Sequence, residues 1–218
     1  IAGGARDDPR LILKPERPAI ERMRAVDDIA HRLHQAAIEV DASLLLLGWP
    51  GPNDIRARLV GATYTEIVAA TSVPVAVAAL HPGDRGRVVV YSAGRELVPG
   101  YLPTMALALD LASTLARHQE QALVIGPLAP SELEEAGLTT PPTAEHRDGD
   151  ADLEAWVAAV TRPGDVVVVP IHDPSIGPAA IRVYASGRSV LAVSQNPETS
   201  PAAVVSPMNL PVGRSMGA

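Results

Sequence analysis

No cysteine and no phenylalanine occur in this chain, aromatic residues make up 3% of it, and Lys14 is its single lysine. Without cysteine, neither a disulfide framework nor a thiolate metal site can form, which fits a reducing compartment. Without phenylalanine, the core must be built from Ala, Val and Leu. No apolar run approaches the roughly 18 residues that cross a bilayer, so this segment is not expected to insert into a membrane directly. No secretory signal pattern opens the chain, and IAGGARDDPR, lacking Met, resembles a cut end. Positive charge is in deficit as well. A net charge of -7 argues against nucleic-acid and anionic-membrane partners, both of which need a basic face. What is present is a chain of 218 residues, 47% hydrophobic, enough for one large or two small domains.

Residues 1–18 are rich in Gly, Pro and charge and read as a loop segment, with room for one short edge strand at Leu11–Leu13. Ala19 to Val26 roughly alternates, as a strand does. Asp27 is expected to cap a helix whose Ile29, Leu33, Ala36, Ala37 and Val40 share one face. Ser43 to Leu47 is a continuous apolar run, the pattern of a parallel strand covered on both faces. A glycine-bearing loop follows, then a helix over Tyr64 to Thr71 and a second buried strand over Val73 to Leu80. HPGDRG, residues 81–86, is turn-rich and marks the boundary between units at 19–82 and 87–194.

In the second unit, strands are expected at Arg87–Ser92, Ala122–Ile125, Asp165–Val169 and Ser189–Val193. Thr104 is expected to cap a helix with Leu107, Leu111 and Leu115 aligned at i, i+4, i+8. Ser131-Glu-Leu-Glu134 has the form of a capping box. Residues 137–150 form a loop with an edge strand. Asp152 leads a helix with Leu153, Trp156, Val157 and Val160 on one face, and another helix spans Gly177–Ala185. From 195 to 218 the composition is that of a disordered tail.

The two halves repeat. Gly61-ATYTEIVAATSVPVAV and Gly177-PAAIRVYASGRSVLAV have equal length and the same strand-forming end, and VDDIAHRL…SLLLLG matches DADLEAWV…DVVVVP in order and spacing. The halves differ in one loop: thirteen positions separate Gly48 from Gly61, but seven separate Pro170 from Gly177.

That longer loop is the candidate ligand site. An open α/β sheet binds ligands outside the carboxyl ends of its strands. Gly48, Gly51 and Gly61 permit close backbone approach, Gly61-Ala62-Thr63 stands at a helix start whose N–H groups suit phosphate, and Arg56 and Arg58 can neutralise its charge. The bland alternative is that the glycines serve tight turns and the arginines are solvated. Elsewhere the bland alternative prevails. His31 and His34 lie i, i+3 without a third ligand, His172-Asp173 fits a turn, and the Asp27-Asp28 and Glu134-Glu135 pairs sit at helix starts. Trp49 and Trp156 read as packing. No serine has a G-x-S-x-G context, and no catalytic constellation is visible, so an enzyme is not expected.

The string Gly48-x2-Gly51-x9-Gly61 resembles the phosphate loop of nucleotide-binding universal stress proteins, as does the closing strand VPVAVAAL. Ala62 departs from the usual Ser or Thr, with Thr63 adjacent. ATP-binding members also carry an Asp at the end of their first strand; the first half shows no such strand, and Ser92 holds that place in the second. The resemblance implies two tandem universal-stress-protein-like, Rossmann-like units with mostly parallel sheets, the second degenerate. VDDIAHRLHQAAIEVDASLLLLGW with VPVAVAAL is more narrowly similar to the cytosolic tails of bacterial monovalent cation/proton antiporters. This implies a regulatory or assembly domain on the cytoplasmic side of the membrane, attached to a transporter domain of the same polypeptide and homodimeric, with ATP, AMP or cyclic di-AMP as candidate ligands. Amino-acid permease tails and free-standing tandem stress proteins are the alternatives.

Overall fold

The computed structural model describes residues 26–49, 67–92, 101–171 and 176–195. Seven strands form one sheet: β1 (Leu45–Gly48), β2 (Val75–Ala79), β3 (Val88–Tyr91), β4 (Leu123–Gly126), β5 (Glu145–His146), β6 (Val166–Pro170) and β7 (Ser189–Ser194). Their spatial order is β1-β2-β7-β6-β3-β4-β5. Neighbours are parallel except β2 and β7. The run from β5 to β7 therefore takes its strands in the order third, second, first, fourth, fifth, as in Rossmann-type sheets. The expected α/β architecture is present, with one continuous sheet running through both halves of the chain.

The antiparallel junction respects the sequence repeat. Ala76 and Val77 correspond in the repeat to Ala192 and Val193; Ala76 pairs with Val193 and Val77 with Ala192. Each half thus offers its last strand to the other in reciprocal register. One consequence matters for function: the carboxyl ends of β1 and β2 face the opposite side of the sheet from those of β3, β4, β6 and β7.

Helices cover both faces. α3 (Tyr101–Gln119) and α4 (Pro130–Glu135) pack on the face carrying Ala76, Val88, Val90, Ile125 and Val193. α5 (Leu153–Val160) and α6 (Ile176–Ala185) pack on the other, against Val89, Tyr91, Val124, Val167 and Val190. On that same side, α1 (Val26–Glu39) and α2, of which residues 67–70 are described, meet β1 and β2 through Leu33, Ile67, Val75, Leu45 and Leu47. Strand alternation assigns these faces, since successive side chains point to opposite sides.

Several local expectations shift. α1 already includes Asp27, so Asp27 does not cap it. Val26, the last residue of the strand expected from Ala19, is helical, and residues 19–25 lie outside the described region. Val40 falls beyond the helix and is exposed. Ser43–Leu47 is not covered on both faces: Leu46 is 64% exposed, and among the described residues β1 is an edge strand. Thr104 lies inside α3, fully buried, with its hydroxyl accepting from the Gln195 amide at 3.3 Å. The inner face of α3 is Met105, Ala108, Leu109, Ala112 and Ala116, with Leu107, Leu111 and Leu115 only partly buried at its margin. The alanines let the helix sit close to the sheet, which outweighs the larger side chains in choosing the face. α4 starts at Pro130, so Ser131 is not its cap; Glu132 reaches back to accept from the Ala129 amide at 2.8 Å. Asp152 caps α5 as expected, accepting from the Ala155 amide at 2.9 Å.

The segment 81–86 is tied down at both ends. The His81 amide donates to Ser189 Oγ at 2.8 Å, and that hydroxyl donates to Asp84 Oδ2 at 2.7 Å. The His81 ring stacks on Tyr184 with centroids 4.5 Å apart. Arg87, just beyond, forms a buried ion pair with Asp165 at 2.7 Å. The boundary read from composition is a strap between β7 and β6, not a loose linker.

Candidate functional site

The candidate loop begins at the carboxyl end of β1. Gly48 closes that strand opposite Ala78, is exposed, and has nothing within 4 Å of the position a Cβ would take. Its lack of a side chain therefore serves no close approach to a described residue. Trp49 follows; its amide donates to the Ala78 carbonyl at 2.8 Å, and its side chain packs on the core beneath α5 and α6, the packing role expected of it. Gly51, Arg56, Arg58, Gly61, Ala62 and Thr63 lie outside the described residues, as do His172 and Asp173. Of the predicted site residues, Gly48 at the end of β1 is the one that lies among the described residues.

The corresponding crevice of the second half lies between the carboxyl ends of β3 and β6, where the strand order reverses. Beside it, at the carboxyl ends of β3 and β4, side chains and backbone form a knot closed on itself. Ser92, wholly buried, donates its amide to the Gly126 carbonyl at 2.6 Å. Ser92 Oγ accepts from the Leu128 amide at 3.0 Å, and the Ser92 carbonyl accepts from the Tyr101 hydroxyl at 2.8 Å. Tyr91 donates its hydroxyl to the Ala151 carbonyl and lies 5.9 Å from the Trp156 ring. Trp156 is 1% exposed and donates Nε1 to the Arg147 carbonyl at 3.3 Å. Every polar group named here has a partner inside the protein, so none of them is left aimed at a ligand.

This knot was not foreseen beyond Ser92. The available signal was two tyrosines flanking the end of an apolar strand, in a chain with only four. Burial pushes both hydroxyls up, to about 12 from 10; the Asp152 charge adds to the shift at Tyr91 and the Glu132 charge at Tyr101. A folded-state pKa above the unfolded one means that the stability these groups contribute is complete below pH 10 and is lost as pH rises from 10 towards 12. With a single lysine, few other groups titrate in that window. The melting temperature is therefore expected to fall steeply between pH 10 and 12, and Tyr91→Phe and Tyr101→Phe to flatten that fall, as read by circular dichroism melts across pH 8–12. An unchanged slope in both variants refutes the assignment.

No group of three or more His, Cys, Asp or Glu side chains able to hold a metal occurs among the described residues. His31 Nε2 lies 3.0 Å from Gln35 Nε2, one turn along α1. A recess of about 460 Å³ lies between α3 and residues 137–142. Its Ser113 hydroxyl is engaged by the Leu109 carbonyl at 2.6 Å, and none of its lining residues stands at the carboxyl end of a strand. No described helix is long and apolar enough to cross a membrane.

Architecture and strand order define an α/β, Rossmann-like protein with a mostly parallel seven-stranded sheet. Among solved structures, the chain is similar to the cytoplasmic domain of a prokaryotic cation chloride cotransporter, with a TM-score of 0.52 and 16% identity over 76% of this chain and 70% of that one. It is also similar to a universal stress protein from Archaeoglobus fulgidus DSM 4304, with a TM-score of 0.46 and 12% identity over 77% of this chain and 65% of that one. A protein of unknown function from Pseudomonas aeruginosa PAO1 gives 0.46 and 12%, over 78% and 69%. The first of these is a likeness of fold. No protein-family model and no curated protein matches the sequence.

Proposed function

We propose that this chain is a regulatory and assembly domain on the cytoplasmic side of a membrane transporter, a monovalent cation/proton antiporter by its sequence resemblance. In this reading it is a pseudo-dimer of two stress-protein-like units joined through their last strands. The observation that carries it is the fold shared with the cytoplasmic domain of a cation chloride cotransporter, together with the reciprocal β2·β7 junction. The second unit is read as a scaffold, which the internal partners of Ser92, Tyr101 and Trp156 at the ends of β3 and β4 support. The first unit is the sensor, through the loop from Gly48 to Thr63, with ATP, AMP or cyclic di-AMP as ligand. A ligand there regulates transport only by binding one arrangement of the domain more tightly than another.

Calorimetry of the purified chain with each nucleotide tests the sensor role. Binding is expected to one of the three, with a stabilisation of about 2.7 kcal/mol at roughly a hundredfold excess over Kd. Gly61→Val is expected to abolish it, since a side chain there blocks backbone approach to phosphate. Absence of both heat and thermal shift at millimolar nucleotide sinks the sensor role and leaves a scaffold. A gene encoding about ten or more apolar spans ahead of Ile1 supports attachment to a transporter.

A further inference from the structure

Trp49 is the first residue after β1, and the loop proposed above to take a nucleotide runs on from it. Its amide is fixed, donating to the Ala78 carbonyl at 2.8 Å. Gly48, the last residue of β1, stands opposite Ala78, so Trp49 comes next to Ala79. From there one row of side chains crosses the sheet. Ala79 pairs with Val190, Val190 with Val167, Val167 with Val89 and Val89 with Val124. All five are buried, and all belong to the cluster that Ala180 and Val183 of α6 close from above. Trp49 packs on that cluster, half-buried, at the head of the row. Apart from Ala79, every member of the row lies in the second unit.

The repeat sets this position apart. Laying SLLLLG on DVVVVP makes Trp49 the counterpart of Ile171, whose amide likewise donates to the next strand, at 2.6 Å to the Val193 carbonyl. Leu45 and Leu47, like Val167 and Val169, pack under the helices of their own unit, and so does Ile171. Trp49 packs on the cluster of the other unit. An indole is long enough to pass an alanine, and in that row Ala79 alone separates it from Val190. We propose that Trp49 couples the ligand loop of the first unit to α6 of the second. A ligand that fixes the loop fixes the indole at its root, and a packed interior transmits a displacement instead of absorbing it. Loop occupancy and the closure of α6 on the sheet are then linked, and what stabilises one stabilises the other. The role of a ligand here rests on the sensor reading of the first unit; the link through Trp49 rests on packing alone.

Hydrogen exchange of the full chain, read segment by segment, tests the link without any ligand. Trp49→Ala is expected to speed exchange of the α6 amides roughly tenfold or more while leaving those of α1 and α3 near their natural rates. Trp49→Leu, too short to pass Ala79, is expected to do the same and serves if the alanine variant does not fold. Faster exchange confined to α1, β1 and β2, or a uniform rise along the chain, overturns the link. The chain has two tryptophans, so Trp156→Phe leaves Trp49 as the single emitter. ATP, AMP and cyclic di-AMP are each added to that variant at millimolar concentration. A nucleotide that gives heat in calorimetry is expected to shift the Trp49 emission and to slow α6 exchange, and in Trp49→Leu to slow it no longer. A nucleotide that gives heat yet changes neither overturns the coupling and leaves the sensor role standing. No heat from any of the three, with α6 still loosened selectively by Trp49→Ala, sinks the sensor role and upholds the link.

Discussion

Asp165→Ala is expected to destabilise the fold by about 3–5 kcal/mol, the cost of removing one partner from a buried ion pair. Asp165 is 3% exposed and accepts three hydrogen bonds. Oδ1 takes the Arg87 amide at 2.9 Å. Oδ2 takes Arg87 Nη2 at 2.7 Å and the Arg162 amide at 2.9 Å. Truncation strands two backbone donors and leaves the guanidinium with the Val160 carbonyl, 2.9 Å away, as its described acceptor. The loss from one substitution is a large share of the 5–15 kcal/mol typical of a whole domain. Arg87→Met is expected to cost clearly less. Asp165 would keep both backbone donors, the methionine would retain the apolar stem, and the buried Arg87 Nε, which has no partner, would be removed. Urea unfolding followed by circular dichroism reads both. A midpoint for Asp165→Ala within 1 kcal/mol of the natural protein refutes the role, and so does the reverse ranking of the two variants.

That pair also shows which parts of the molecule a linear reading can reach. DVVVV and RVVVY were recognisable as strands because runs of four and three valines suit a strand buried between two helical layers. That Asp165 and Arg87 meet at the amino ends of adjacent strands was not recognisable, because neighbouring positions in a sheet are fixed by strand order, and order is a property of the whole chain. The same gap explains β1. An apolar run such as Ser43–Leu47 is equally compatible with a central strand and an edge strand, and only the absence of a described neighbour on one side decides it. Helix faces fail for a different reason. Leu107, Leu111 and Leu115 have the period of a core stripe, but a helix lying across valine-rich strands gains more dispersion contact by close approach, and Ala108, Ala112 and Ala116 permit that approach. Local chemistry carried further at α5, where Asp152 and its helix require nothing beyond neighbouring residues. Of the candidate site, Gly48 stands at the carboxyl end of a strand, where the repeat and the strand pattern located it. The knot at the ends of β3 and β4 was legible only through Ser92, since Leu128, Tyr101 and Trp156 reach it from three separate elements.

Gly126→Ala is expected to cost about 3 kcal/mol or more, beyond the ordinary penalty of overpacking, because what a side chain would meet is backbone. Gly126 ends β4 beneath the knot at Ser92. A Cβ there would lie 1.9 Å from the Arg147 carbonyl oxygen and 2.8 Å from Trp156 Cζ2. The indole can yield by changing its tilt. The carbonyl cannot yield without displacing the segment whose Arg147 amide donates to Ile125 at 2.9 Å, the bond that holds β5 on β4. The two parts separate by experiment. Trp156→Phe removes the atoms of the six-membered indole ring nearest Gly126, so in its background the extra cost of Gly126→Ala is expected to fall only in part, the remainder being the backbone clash. Gly48→Ala is the control: with no described atom within 4 Å of its Cβ position, that substitution is expected to change stability by no more than about 0.5 kcal/mol. Equal melting temperatures for Gly126→Ala and Gly48→Ala would mean that β4 and the Arg147 segment do not approach so closely. Full rescue by Trp156→Phe would put the whole constraint on the indole. Partial rescue identifies Gly126 as a position where backbone meets backbone at the end of β4, so that no side chain fits there whatever the indole does.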